Sequence, residues 1–510
     1  MARIEIDTRG IGAMLEEHYR KHAVTFGVNE VGQVIEAGDG IARIRGLAGV
    51  MAEEMLLFPD DTCGLALNLE RDEVGAIILG DCTRICQGDV VRRTCRVLQV
   101  PVGAGFLGRV VDALGRPLDG RGPIEPAGYR MVETDAPAII EREPVRRPLH
   151  TGVKIVDALT PIGRGQRELI IGDRQTGKTT IALDAMLNQQ AGDVLCVYVA
   201  IGQKMSTVMG VVRTLEEHGV LANCLVVAAT ASDAAPLQYV APFAACAMAE
   251  YFRDAGRDAL IVYDDLHKHA VAYRQIALLL RRPPGREAFP GDIFYLHSRL
   301  LERAAKLHPD KGGGSLTALP IVETQEGDYS TYIPTNLISI TDGQIYLETD
   351  LFHQGFRPAM NVGLSVSRVG GKAQLPATQT VAATLRIEFA QYRELAAFAR
   401  LTSDLDKATL QQLKRGARIA EILKQPPHQP LPVAHEICSI WAVLRGYADD
   451  IPLEDIGRFE AEWHRFLDSA AADLAEELLR AAAFSASVEQ RLAAAMQTFR
   501  TLFIPTGVKV

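Results

Sequence analysis

The segment Gly172–Thr179, GDRQTGKT, constrains this chain more than any other stretch of its sequence. It fits G-x4-G-K-[ST], follows the strand-like run Glu168–Ile171 and opens a helical run over Thr180–Gln190. Each part of that order has a physical reason. Gly172 and Gly177 let the backbone wrap phosphate oxygens, and the amides of Asp173, Arg174, Gln175 and Thr176 line the cradle. The helix N-terminus adds unpaired N–H groups and the positive end of its dipole. Lys178 neutralises phosphate charge, and the Thr179 hydroxyl meets Mg2+. The motif predicts a site for ATP or ADP with Mg2+, carried on a mostly parallel sheet.

A second strand belongs with it. Ala259–Tyr263 is an apolar run closed by Asp264 and Asp265, the arrangement in which an acid holds Mg2+ in P-loop NTPases. A strand ending in Asp also makes an ordinary helix cap; downstream of a P-loop, Asp264 is the candidate for the metal. Hydrolysis needs a further group, a carboxylate that positions and deprotonates water. The strand VLCVYVAIG runs instead into Gln203 and Lys204, and an amide cannot take that proton at neutral pH. The sequence therefore predicts nucleotide binding without turnover.

Other patterns carry less. Gly103–Gly108 matches G-x-G-x-x-G, but the β-like RVV and the turn GRPLDG follow it in place of the helix a dinucleotide site requires. His267 and His269 lie two apart, on different faces of a helix. Arg368, in SVSRVGG, reads from composition alone as an arginine in a polar loop.

At 510 residues the chain is too long for one core. A short amphipathic helix comes first, with Ile11, Met14, Leu15 and Tyr19 on one face. Short β runs from Val28 to Val97 suggest a small closed barrel. Strands and helices alternate over 98–370 as an α/β P-loop domain, and 371–510 is helical and rich in alanine. The expected fold is thus multidomain: barrel 1–97, P-loop domain 98–370, helical domain 371–510. A net charge of −9 argues against nucleic acid as partner. The apolar run Ala234–Ala249 contains Pro236 and Pro242 and is shorter than the ~20 residues a bilayer needs. The N-terminus MARIEIDTRG lacks the apolar stretch of a signal peptide. The spacings of Cys63, Cys82, Cys86 and Cys95 do not fit a zinc site.

GDRQTGKT, YVAIGQK, RDALIVYDDL, RRPPGREAFPGDIFYLHSRLLERAA and RPAMNVGLSVSRVGG closely resemble the alpha subunit of F-type ATP synthases, a likeness running over about residues 28–425. Gln175 and Gln203 set the chain apart from the beta-type pattern, with its GGAGVGKT loop and Gly-Glu-Arg strand end. The resemblance implies an alternating alpha/beta hexamer around a rotating gamma shaft. It also implies a delta-type peripheral-stalk subunit at the N-terminus and an ion rotor in the membrane, with this chain on the cytoplasmic face of the bacterial inner membrane. It assigns Phe352, Arg357, Pro358 and Gln425 to the adenine pocket, and Arg368 to the catalytic site of the adjacent beta subunit as an arginine finger. Pro427 stands where the family often has a second glutamine, and YDDLHKHA replaces a Ser-Lys-Gln pattern. The competing expectation is a self-sufficient hexameric motor ATPase, of the secretion or helicase type, which needs a carboxylate where Gln203 stands. A relic site is the third, against which Lys178, Thr179 and Asp264 speak.

Overall fold

The computed structural model describes residues 30–190, 193–399, 406–480 and 484–506. The N-terminal amphipathic helix lies outside the described residues. The chain divides into two compact units, one ending at Val97 and one beginning at Leu98.

The first unit is a barrel. Its strands are β1 (Val31–Gly38), β2 (Ile41–Gly46), β3 (Glu54–Leu57), β4 (Cys63–Leu69), β5 (Glu73–Ile78) and β6 (Val90–Val97). They close in the order β1-β2-β5-β4-β3-β6, so no strand edge is left unpaired. The β1–β2 hairpin turns through Asp39 and Gly40, both at positive φ, as a tight two-residue turn requires. Inward positions carry Val34, Ala42, Ile44, Leu56, Ala66, Val74, Ala76 and Ile78. One acid is also buried: Glu54 accepts from Arg93 Nε and Nη2 at 3.0 and 2.9 Å and from Cys95 N at 2.7 Å. A buried charge so fully bonded is tolerated.

The second unit begins with β7 (Gln99–Val102), β8 (Val110–Val111), β9 (Gly128–Met131), β10 (Pro148–Leu149) and β11 (Ile162–Gly163). Then come β12 (Leu169–Gly172), β13 (Val194–Gln203), β14 (Cys224–Thr230), β15 (Asp258–Asp264), β16 (Ser315–Glu323), β17 (Gly343–Leu347) and β18 (Val366–Ser367). Eight of these form one sheet, β18-β17-β12-β16-β15-β13-β14-β8, parallel except for β18 at one edge. Burial on both faces explains why these strands read as unbroken apolar runs. The apolar run at 234–249 is the buried helix Ala235–Asp254 against this sheet. No helix among the described residues is long and apolar enough to cross a membrane.

From Pro376 onward the described structure is helical. Val488, Leu492, Met496 and Phe499 face inward from the helix Ala486–Leu502, with Phe503 just beyond it, and they pack around Trp463 and Phe459. This core runs on through Ile437, Leu385 and Ile155 into the core of the sheet. The eight cysteines are free, and no cluster of metal-ligating side chains occurs among the described residues.

A buried ion pair ties the segment after the helix Ile293–Leu301 to the helix Ala235–Asp254. Arg303 and Glu250 are each 1% exposed, with Nη2–Oε2 at 2.6 Å and Nε–Oε1 at 3.0 Å, while Arg303 Nη1 donates to Val132 O at 2.7 Å. Glu250→Ala would strand the guanidinium in the core and is expected to cost about 3–5 kcal/mol. Pairing it with Arg303→Met should recover much of that loss. Thermal unfolding of the two variants beside wild type checks both expectations.

Candidate nucleotide site

The parallel strands deliver their carboxyl ends to one side of the sheet, where ligands of open α/β folds bind. Gly172 ends β12, Gln203 ends β13, Asp264 ends β15 and Glu323 ends β16. Between β12 and the helix Lys178–Leu187 runs the phosphate loop. A Cβ on Gly172 would meet Leu347 O at 2.6 Å, and Gly177 caps the helix at φ +98°, so neither position admits a side chain without strain.

Within the loop the side chains divide their work. The Asp173 carboxylate is bonded within the protein. Its Oδ1 accepts from Thr324 Oγ1 at 2.6 Å and Gly327 N at 3.0 Å, and its Oδ2 from Thr349 Oγ1 at 2.9 Å. These contacts tie the loop to the segments after β16 and β17. Burial alone would raise its pKa, and those bonds with the nearby Lys178 charge bring it below the usual value. Arg174 is exposed and pairs with Glu323 at 3.1 Å. Lys178 is buried, and its Nζ donates to Asp173 O at 2.5 Å. Burial lowers its pKa, against the pull of Glu323, Asp265, Asp264 and Asp173 around it.

Asp264 is the hub. Its Oδ2 accepts from Thr179 Oγ1 and from Tyr198 OH, each at 2.7 Å, and its Oδ1 from Gln203 Nε2 at 2.8 Å. The hydroxyl of Thr179 and the carboxylate of Asp264 are hard oxygen donors, the type that suits Mg2+ bound through few protein ligands, water and phosphate. Its neighbour Asp265 does the capping: Oδ1 accepts from Lys268 N at 2.7 Å at the start of the helix Leu266–Leu279. Burial pushes the Asp265 carboxyl up to about 7. His269 is fully buried and bonds Tyr239 O at 3.0 Å, while His267 is half-buried and lies off the cavity.

A cavity of about 390 Å3 opens above these groups. Of the residues predicted from sequence, it gathers Gln175, Thr176, Gly177, Lys178, Thr179, Gln203, Asp264, Phe352, Arg357, Pro358 and Gln425. Gly172, Asp173 and Arg174 lie outside its lining, and so does Arg368, which is exposed beside the edge strand β18. At the far end the Arg357 guanidinium stacks on Phe352, 4.2 Å from the ring centre. Gln425 is there too, but its amide is engaged: Nε2 donates to Gly152 O and Gln429 O at 2.6 and 2.8 Å, and Oε1 accepts from Lys154 N at 3.1 Å.

Sequence reasoning missed three polar groups here: Glu323, Asp184 and Tyr198. Glu323 closes an apolar strand as Asp264 does, a visible signal. Asp184 is a lone acid in the apolar helical run IALDAML. Tyr198 had none, because a tyrosine inside a buried strand reads as core.

Family models match the chain in the same order as its structure: the beta-barrel domain of the ATP synthase alpha/beta family over residues 27–95, its nucleotide-binding domain over 152–367, and its C-terminal domain over 374–499. The chain belongs to the ATP synthase alpha/beta family. The phosphate loop, Gln203, Asp264, Phe352 and Arg357 fall in the nucleotide-binding match, and Gln425 in the C-terminal match. The family implies binding of ATP or ADP by the nucleotide-binding domain of an ATP synthase or ATPase subunit.

Proposed function

We propose that this chain is the alpha-type subunit of an F-type ATP synthase, one that holds Mg-nucleotide without hydrolysing it. One observation carries the reading: at the end of β13, where a hydrolytic site needs a proton acceptor, stands Gln203, and its amide donates to Asp264. Thr179 and Asp264 would hold the Mg2+, which would neutralise phosphate charge. Lys178 and the loop amides bind the phosphates, and the Phe352–Arg357 end of the cavity takes the base.

In the complex, beta subunits alternate with this chain around a gamma shaft, a delta-type subunit meets its N-terminus, and an ion rotor lies in the membrane beneath. Its place is the cytoplasmic face of the bacterial inner membrane, and nucleic acid is no partner. Arg368, exposed beside an edge strand and away from this chain's own cavity, serves the neighbouring beta site.

A self-sufficient motor is the second reading, favoured by Glu323, an acid that lines the cavity. Purified chain and MgATP separate the two. The expected result is stoichiometric binding with no measurable turnover, and ATPase activity once cognate beta- and gamma-type subunits are added. Turnover by the chain alone that Glu323→Gln abolishes would favour the motor.

A further inference from the structure

The cavity holds a buried carboxylate with one oxygen that the protein leaves open. Asp184 lies six residues beyond Lys178 on the same helix, about 9 Å along its axis, roughly the span from a nucleotide's phosphates across the ribose to the base. It is 5% exposed and lines the cavity. Its Oδ1 accepts from His428 N at 2.9 Å, and the His428 ring Nδ1 stands 3.3 Å from the same oxygen. No protein donor reaches Oδ2 among the described residues. Of the groups beside it, Gln425 gives both amide hydrogens to backbone and its Oε1 accepts from Lys154 N, Pro427 has no N–H, and Arg357 only donates.

Resting on the nucleotide-site reading, we infer that Asp184 reads the base. Its open Oδ2 accepts a hydrogen bond from the exocyclic amine of adenine and selects a 6-amino purine over a 6-oxo purine. A buried acceptor left facing a carbonyl has no compensation, which is how a polar pocket discriminates strongly. Burial raises the Asp184 carboxyl to about 7, against the hydrogen bond from His428 N and, more weakly, the His218 imidazole, so at pH 8 it is mostly an anion and accepts only.

The test compares binding of MgATP and MgITP, which carries a carbonyl at position 6, to the full chain at pH 8. Wild type should hold ATP ~10-fold or more tightly than ITP. In Asp184→Asn the His428 N–H still holds Oδ1, so an NH2 replaces Oδ2 and presents a donor; the preference should invert toward ITP. In Asp184→Ala the two nucleotides should bind alike. A variant pair that weakens both nucleotides in parallel, with the ratio unchanged, makes Asp184 merely structural and overturns the inference. Absence of preference in wild type overturns it as well. If wild type binds neither nucleotide, the nucleotide-site reading itself fails, and this inference goes with it.

Discussion

Lys178→Ala should remove nucleotide binding while leaving the fold in place. The side chain is buried among Glu323, Asp264, Asp265 and Asp173 and, unlike Arg174, is a loop cation that lines the cavity. Its one protein bond is to Asp173 O at 2.5 Å, and that carbonyl also accepts from Thr176 Oγ1 at 2.8 Å. Alanine therefore leaves no backbone acceptor orphaned, and loop geometry should survive. What it leaves is a cavity whose charged groups near the phosphate loop are acids, facing an anionic ligand. Truncating one member of a close, desolvated charge pair costs about 2–5 kcal/mol, or roughly 30- to 5,000-fold in Kd. Calorimetric titration with MgATP, beside circular dichroism of the same sample, measures both halves of the claim. Undiminished affinity would mean the loop amides and helix N-terminus bind the phosphates unaided. Loss of secondary structure would mean the lysine holds the loop together.

How much of this could be read from the chain depends on how local each signal is. GDRQTGKT needs particular residues in fixed order within eight positions, and the apolar run closed by Asp264 needs one strand; both were legible, and the structure brings Thr179 and Asp264 to 2.7 Å. The barrel was legible from short β runs and turn pairs such as Asp39-Gly40, though its order, with β5 between β2 and β4, was not. Register of that kind is set by closure of the whole sheet, which no window of sequence contains. Asp173 illustrates the opposite limit. The motif offers it as part of the phosphate cradle, yet its carboxylate is held by Thr324, Gly327 and Thr349, at least 151 residues away. Gln425 is similar: it reaches the cavity, but backbone at Gly152 and Lys154, more than 270 residues distant, takes its amide. Long-range hydrogen bonds leave no periodicity behind.

Arg368 should matter only in the assembled complex, and there its loss should be severe. The structure fixes its backbone: the preceding strand β18 pairs with β17, and Arg368 N donates to Asp342 O at 2.8 Å. The guanidinium itself is exposed, with one long contact from Nη2 to Ile338 O at 3.4 Å, so little holds it to this chain. An anchored backbone with an exposed, loosely held planar cation suits a group that works across an interface. Phosphoryl transfer spreads charge over the γ-phosphoryl oxygens in its transition state, and an arginine supplied there is worth ~10³–10⁵ in rate. Arg368→Ala should leave this chain's own MgATP affinity unchanged, because the residue lies outside its cavity, and should leave assembly intact, while multi-site turnover falls by that factor. Arg368→Lys should fail nearly as badly: an ammonium keeps the charge but lacks the fork that meets two oxygens at once. The deciding measurement is turnover of the reconstituted mutant complex with nucleotide occupancy of this chain followed in parallel. Near-normal turnover returns Arg368 to the status of a surface arginine, and parallel loss of this chain's own nucleotide makes it a binding residue of its own site.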